Sequence, residues 1–155
     1  MKWNSNLKLI DKVRKSGLQK STCMEEERET DLTNIEEPGV IYDLKVRLEN
    51  FAATIIVLYD VELKTFSRDY LAKQLIRSSC SSALNYSEAL GADTSKDKIN
   101  KLSICLNELR ESETNLNIQS KANLNVSVEM ENLKNEVDQL IRIVVTRIRN
   151  LKSRI

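Results

Sequence analysis

The sequence predicts an all-α protein, an antiparallel up-down-up-down four-helix bundle, on three observations. The chain of 155 residues holds one proline and three glycines, so it has few places to turn. Apolar residues recur at three- and four-residue spacing over four long stretches. Polar segments separate those stretches, and amphipathic helices joined in this way bury their apolar faces against one another. The length is enough for one domain with a single core.

Residues 1–41 differ from the rest. Met1–Lys20 carries Lys2, Lys8, Lys12, Arg14, Lys15 and Lys20 against Asp11 alone. Glu25–Glu37 is strongly acidic, and Pro38-Gly39 then breaks the chain. Trp3, Leu7, Ile10 and Val13 could form a short amphipathic turn pair, but composition favours a charged, disordered leader. Met24 sits at the charge switch and is a second candidate start. The bundle domain is expected over 42–153.

The first helix is expected from Asp43 to Leu63, with Leu44, Leu48, Phe51, Ile55, Leu58 and Tyr59 on one face. Ile56, Val57 and Val61 widen that stripe beyond one core, which implies a second contact surface. The second helix is expected from Arg68 to Leu90, with Ser67 as N-cap and Gly91 as its stop. Leu71, Leu75, Ser78, Ser82, Tyr86 and Ala89 share its buried face. The run Ser78–Ala83 is poor helix material by propensity, and its small side chains let a neighbouring helix come close. Thr94 and Asp97 make a capping-box-like start for the third helix, expected to Ile118 on a face of Ile99, Leu102, Leu106, Leu109, Glu113 and Leu116. Gln119–Asn125 reads as a loop. The fourth helix, Val126 to Lys152, has the cleanest seam: Met130, Leu133, Val137, Leu140, Val144, Ile148 and Leu151. Its rise of 1.5 Å per residue gives a length of about 40 Å, enough to overhang the others.

Composition excludes several function classes. The chain has no histidine, which removes the usual general base and the commonest neutral metal ligand. The serine run has no base beside it, and neither clustered Cys/His ligands nor Glu-x-x-His pairs occur, so no enzyme activity, metal or cofactor is expected. Cys23, Cys80 and Cys105 are scattered and odd in number, as reduced thiols in a cytoplasmic protein would be. The longest apolar run, Ala52–Leu58, is far too short to span a membrane. A net charge of +1 argues against a nucleic-acid-coating protein of histone type.

Charge is nonetheless uneven. From Ile141 onward the chain holds Arg142, Arg147, Arg149, Lys152 and Arg154 and no acid. Arg142, Arg149 and Lys152 share one helical stripe, and Arg147 and Arg154 form a second. Such a face can contact phosphate without reading sequence, although cations at a helix C-terminus are also favourable for the helix alone. Lys73 and Arg77 are weaker candidates for the same role.

The order and spacing of several segments resemble the four-helix-bundle proteins encoded in bacterial 23S rRNA intervening sequences. These segments are Tyr42-Asp43-Leu44, Leu48-Glu49-Asn50-Phe51-Ala52, Leu71-Ala72-Lys73-Gln74-Leu75-Ile76-Arg77-Ser78-Ser79, Asn85-Tyr86-Ser87-Glu88-Ala89, Lys98-Ile99-Asn100-Lys101-Leu102-Ser103-Ile104 and Glu108-Leu109-Arg110-Glu111. The likeness covers roughly residues 42–152. It implies a bundle that assembles into a homopentameric ring. Relatives of that family include the accessory variability protein of diversity-generating retroelements, which binds a reverse transcriptase and nucleic acid. Asn85, Glu88, Glu108, Arg110 and Glu111 match polar positions of these segments and read as a structural network that fixes helix register.

The sequence thus points to a non-enzymatic homo-oligomeric scaffold or accessory protein. Its expected partners are RNA or DNA, a reverse transcriptase or a ribosomal component, with no membrane. The alternative is a protein-binding adaptor, docking through the leader or the overhanging fourth helix.

Overall fold

The computed structural model describes residues 43–60, 65–124 and 127–154. The predicted leader, Val61 of the first stripe, the expected end of the first helix at Leu63, and Asn125 and Val126 lie outside the described residues. Those described form four helices and no strand: α1 (Leu44–Tyr59), α2 (Phe66–Leu90), α3 (Ser95–Lys121) and α4 (Val128–Lys152).

Each helix begins on a side chain that satisfies an otherwise unpaired backbone N–H. Asp43 accepts from the Lys45 N–H, Thr65 from Arg68, Thr94 from Asp97 and Ser127 from Met130. Thr65 therefore replaces the expected Ser67, and α2 starts two residues early because Thr65 holds the extended backbone that an N-cap needs. At Thr94 the pairing is reciprocal: its hydroxyl takes the Asp97 N–H at 3.0 Å and donates to the Asp97 carboxylate at 2.6 Å.

The third helix ends later than its polar sequence predicts. Gln119–Lys121 is helical, not loop, because the terminator is Asn123. That residue has φ 52°, and its N–H reaches Ser120 O at 3.1 Å while the Leu124 N–H reaches Gln119 O at 3.0 Å. This is a Schellman closure with asparagine in the left-handed position that glycine more often takes. Gly91, by contrast, stops α2 at φ −87°, and a Cβ there would meet only Glu88 O at 3.9 Å, so this position does not demand glycine. At 25 residues α4 is no longer than α2 (25) or α3 (27), so its length gives no overhang beyond them.

Each helix packs on its chain neighbours, most extensively α2 on α3, and α1 also meets α4. The α1 stripe is buried as expected at Leu44, Leu48, Phe51, Ile55 and Tyr59, and the α4 seam at every position from Met130 to Ile148. Burying such a side chain contributes about 1.5–3 kcal/mol each. The α1–α4 contact is clamped by Arg47, whose guanidinium takes both Glu136 carboxylate oxygens at 2.8 Å and Gln139 Oε1 at 2.9 Å. A two-pronged charged pair of this kind fixes orientation as well as attraction.

Between α2 and α3 the core turns polar. Ser78, Ser79, Ser82, Ser112, Asn115 and Gln119 are all buried. The Ser78 and Ser112 hydroxyls lie 2.8 Å apart, and each also lies within reach of a carbonyl of its own helix, Leu75 O at 3.3 Å for Ser78 and Glu108 O at 3.0 Å for Ser112, so that their two protons serve two of these three contacts at a time. One level along, Asn115 Nδ2 donates to Leu71 O at 3.0 Å across the interface. Gln119 Nε2 donates to Asn115 Oδ1 at 2.8 Å, and the Tyr59 hydroxyl of α1 donates to Gln119 Oε1. Small side chains let the two backbones approach, and internal hydrogen bonds offset the cost of removing polar groups from water.

Candidate nucleic-acid interface

The C-terminal half of α4 carries the predicted cations, and the fold gives them different surroundings. Arg142, 77% exposed, pairs with Asp138 Oδ2 at 3.0 Å one helical turn earlier. The favourable order, acid before base, makes this a helix-stabilising pair. The Arg147 guanidinium turns toward α2, lies 5.6 Å from the centre of the Tyr86 ring and hydrogen-bonds the Tyr86 hydroxyl. Burial raises the Tyr86 pKa, opposed by Arg147. Arg147 stays exposed while its guanidinium is engaged by Tyr86.

The weaker candidates are likewise engaged. Lys73 holds Asp69 at 2.8 Å, and Arg77 holds Glu111 at 2.6 Å with Glu108 at 4.0 Å. The hydrogen bond to Glu111 pushes the Arg77 pKa upward.

What remains is a cluster without carboxylates. Arg149 and Lys152 rim an open groove between α3 and α4, with Arg110 of α3 on the same rim and Leu106, Val145 and Ile148 lining it. None of these three cations makes an ion pair among the described residues. Arg154 follows in the turn after α4, exposed. Cations in the last turn of α4 also sit where the helix dipole favours them, so the helix stabilises the cluster it presents.

Of the expected polar network, Arg110 borders a groove with Glu111 but makes no ion pair with its acids. Glu108 and Glu111 are joined through Arg77, while Glu88 pairs with Lys101. Asn85 bonds within its own helix, to Ser81 O at 2.9 Å and Ser81 Oγ at 3.2 Å. The buried network that spans helices is Tyr59–Gln119–Asn115 and Ser78–Ser112; Tyr59 and Ser78 lie on faces expected to be buried, whereas Ser112, Asn115 and Gln119 do not. The signal was present as a strict alternation of threes and fours along α3, through positions 102, 105, 109, 112, 116 and 119.

Cys105, fully buried, has its thiol pushed up to about 12 by desolvation and then by Glu108, which holds it in the protonated, unreactive form. No group of three or more His, Cys, Asp or Glu side chains among the described residues could hold a metal ion. No helix among them is long and apolar enough to cross a membrane.

Comparison with known proteins places this arrangement. A crystal structure of a protein of unknown function from the S23 ribosomal protein family of Bacteroides thetaiotaomicron is similar, at 26% identity and a TM-score of 0.58. The likeness covers 68% of this chain and 97% of that one. No curated protein matches. The 23S rRNA-intervening sequence protein family matches residues 43–146, from the N-cap of α1 into the last turns of α4, and the chain belongs to that family.

Proposed function

We propose that this chain is a non-enzymatic, cytoplasmic scaffold or accessory protein that binds nucleic acid through basic helix faces without reading sequence. The observation that carries the reading is the groove rimmed by Arg110, Arg149 and Lys152, where cations converge from two helices with no carboxylate to neutralise them. The family name, 23S rRNA-intervening sequence protein, agrees with a nucleic-acid setting. Electrostatic contacts to phosphate are tolerant of sequence, and no base-reading module occurs in the chain. A nucleic-acid-handling protein, such as a reverse transcriptase or a ribosomal component, is the corresponding protein partner. The absence of histidine supports the non-enzymatic part of the reading, which requires neither metal nor cofactor.

In this reading the four helices form an antiparallel up-down-up-down bundle that assembles as a homopentamer. The contacts Leu71–Asn115, Ser78–Ser112 and Glu88–Lys101 support opposite directions for α2 and α3, since numbers rise along one as they fall along the other. On α1, Val46 is 43% and Ile56 44% exposed, consistent with a further apolar contact. A closed ring repeats each basic groove, and repetition converts weak contacts into usable affinity.

Reversing the charges of the groove tests this. A variant carrying Arg110→Glu, Arg149→Glu and Lys152→Glu is expected to lose at least about a hundredfold in nucleic-acid affinity at low salt. The slope of log K against log salt should shallow by roughly 0.7–0.9 for each phosphate contact removed. An unchanged slope and affinity would remove the groove from the account. If no nucleic acid binds the unaltered protein either, the exposed apolar positions of α1 make a protein-binding adaptor the better reading.

A further inference from the structure

We propose that the outward side of α3 carries a track for single-stranded nucleic acid, running from the stacked rings of Phe66 and Tyr70 to Arg149 and Lys152. The inference rests on the nucleic-acid reading above and specifies the form of nucleic acid. Its starting point is at the first turn of α2, away from the cations. Phe66 is 83% and Tyr70 52% exposed, and their rings stack with centroids 6.1 Å apart and planes 20° from parallel. Two aromatic side chains held parallel in water contribute little to the core. They present a flat π-surface that an unpaired base can extend, whatever its identity.

The platform connects to the basic cluster through contiguous residues. Gln74 Nε2 lies 3.5 Å from the Tyr70 hydroxyl, and Gln74 also lines an open groove between α2 and α3 with Arg110, Thr114 and Ile118. Arg110 lines this groove and the α3–α4 groove as well, so the two share that residue. The carboxylate in the first groove, Glu111, is held by Arg77 at 2.6 Å and is thereby partly neutralised toward an incoming phosphate. An incoming strand would therefore meet, in order, stacked rings, amide and hydroxyl groups, the shared arginine, and a groove with an apolar lining and cationic rim.

This order fits a single strand better than a duplex. In a duplex the base faces are stacked inside, and only phosphates and groove edges reach a protein surface. Exposed rings and the apolar lining of Leu106, Val145 and Ile148 then have nothing to act on. A single strand turns its bases outward, where the rings can stack on them and the rim cations can take the intervening phosphates. The uncompensated positive charge of the second groove favours this polyanion over a protein segment.

The test uses the full chain with a mixed-sequence oligonucleotide on the order of twelve nucleotides, as RNA and as DNA, each beside its matched duplex. The unaltered protein should prefer the single strand. Phe66→Ala and Tyr70→Ala should each weaken single-strand binding about tenfold, leave duplex binding within about twofold and leave the salt slope unchanged. Phe66→Leu, which keeps an apolar side chain of the helix but no ring, should reproduce the loss. A single strand bearing 5-iodouracil should crosslink to peptides containing Phe66 or Tyr70. If the aromatic variants bind single strands as the parent does and crosslinks fall elsewhere, the track is wrong while phosphate binding at the groove stands. If the parent binds neither form, the underlying reading fails and takes the track with it.

Discussion

Gln119→Ala is expected to lower the unfolding free energy by about 3 kcal/mol, which in a domain of this size displaces the melting temperature by roughly 15 °C. Two mechanisms combine. The substitution opens a cavity at a fully buried side chain, and it removes both hydrogen bonds that Gln119 makes, accepting from Tyr59 and donating to Asn115. Buried Asn115 Oδ1 loses the donor at 2.8 Å, and leaving a buried acceptor unmatched costs about 1–3 kcal/mol on its own. Tyr59→Phe removes one hydroxyl without a cavity and should cost only about 1 kcal/mol. The double variant should fall short of the sum, because both changes delete the same bond. Chemical denaturation of the four proteins measures this coupling, and strict additivity would show that α1 and α3 are not linked through Gln119.

The second large effect concerns spacing between α2 and α3. Ser112→Leu is expected to destabilise by about 3 kcal/mol or to prevent folding, since extra methylenes must enter an interface where the Ser78 and Ser112 hydroxyls sit 2.8 Å apart. Ser112→Ala keeps the volume small and should cost about 1 kcal/mol, because the Ser78 hydroxyl keeps its bond to Leu75 O at 3.3 Å. Thermal melts of the two variants separate close approach from hydrogen bonding. Equal losses would mean that the bond, and not the small side chain, holds the helices together.

These two positions also mark where the sequence was hard to read. On α4 every buried residue from Met130 to Ile148 is apolar, so hydrophobic spacing alone located the seam. On α3 the buried positions include Cys105, Ser112, Asn115 and Gln119, and apolar spacing drew the face toward Leu106 and Glu113 instead. The same polarity made Gln119–Lys121 look like a loop, when the left-handed Asn123 was the local stop. Tertiary packing overrides composition at such positions, and the three-four alternation records Cys105, Ser112 and Gln119 but not Asn115.

The candidate site was legible to a similar degree. Arg149 and Lys152 stand out as candidates from the acid-free end of the chain. The pairings Asp69–Lys73 and Asp138–Arg142 follow from i,i+4 spacing and mark those cations as internally compensated. The engagement of Arg77 by Glu111 and of Arg147 by Tyr86 joins residues far apart in sequence, so no local pattern announces it. Arg110 is hidden for the same reason: motif position groups it with Glu108 and Glu111, whereas in the fold it also borders the groove of Arg149 and Lys152. Phe66 was passed over because the expected cap at Ser67 left it in the connection before α2.

The central claim is that copies of this chain assemble and together present basic surfaces to nucleic acid. It is tested most directly by a native mass spectrum of protein purified at low salt without nuclease. The account predicts a mass of five chains, with additional heterogeneous mass that salt removes. A clean monomer carrying nothing would contradict both the assembly and the phosphate-binding groove.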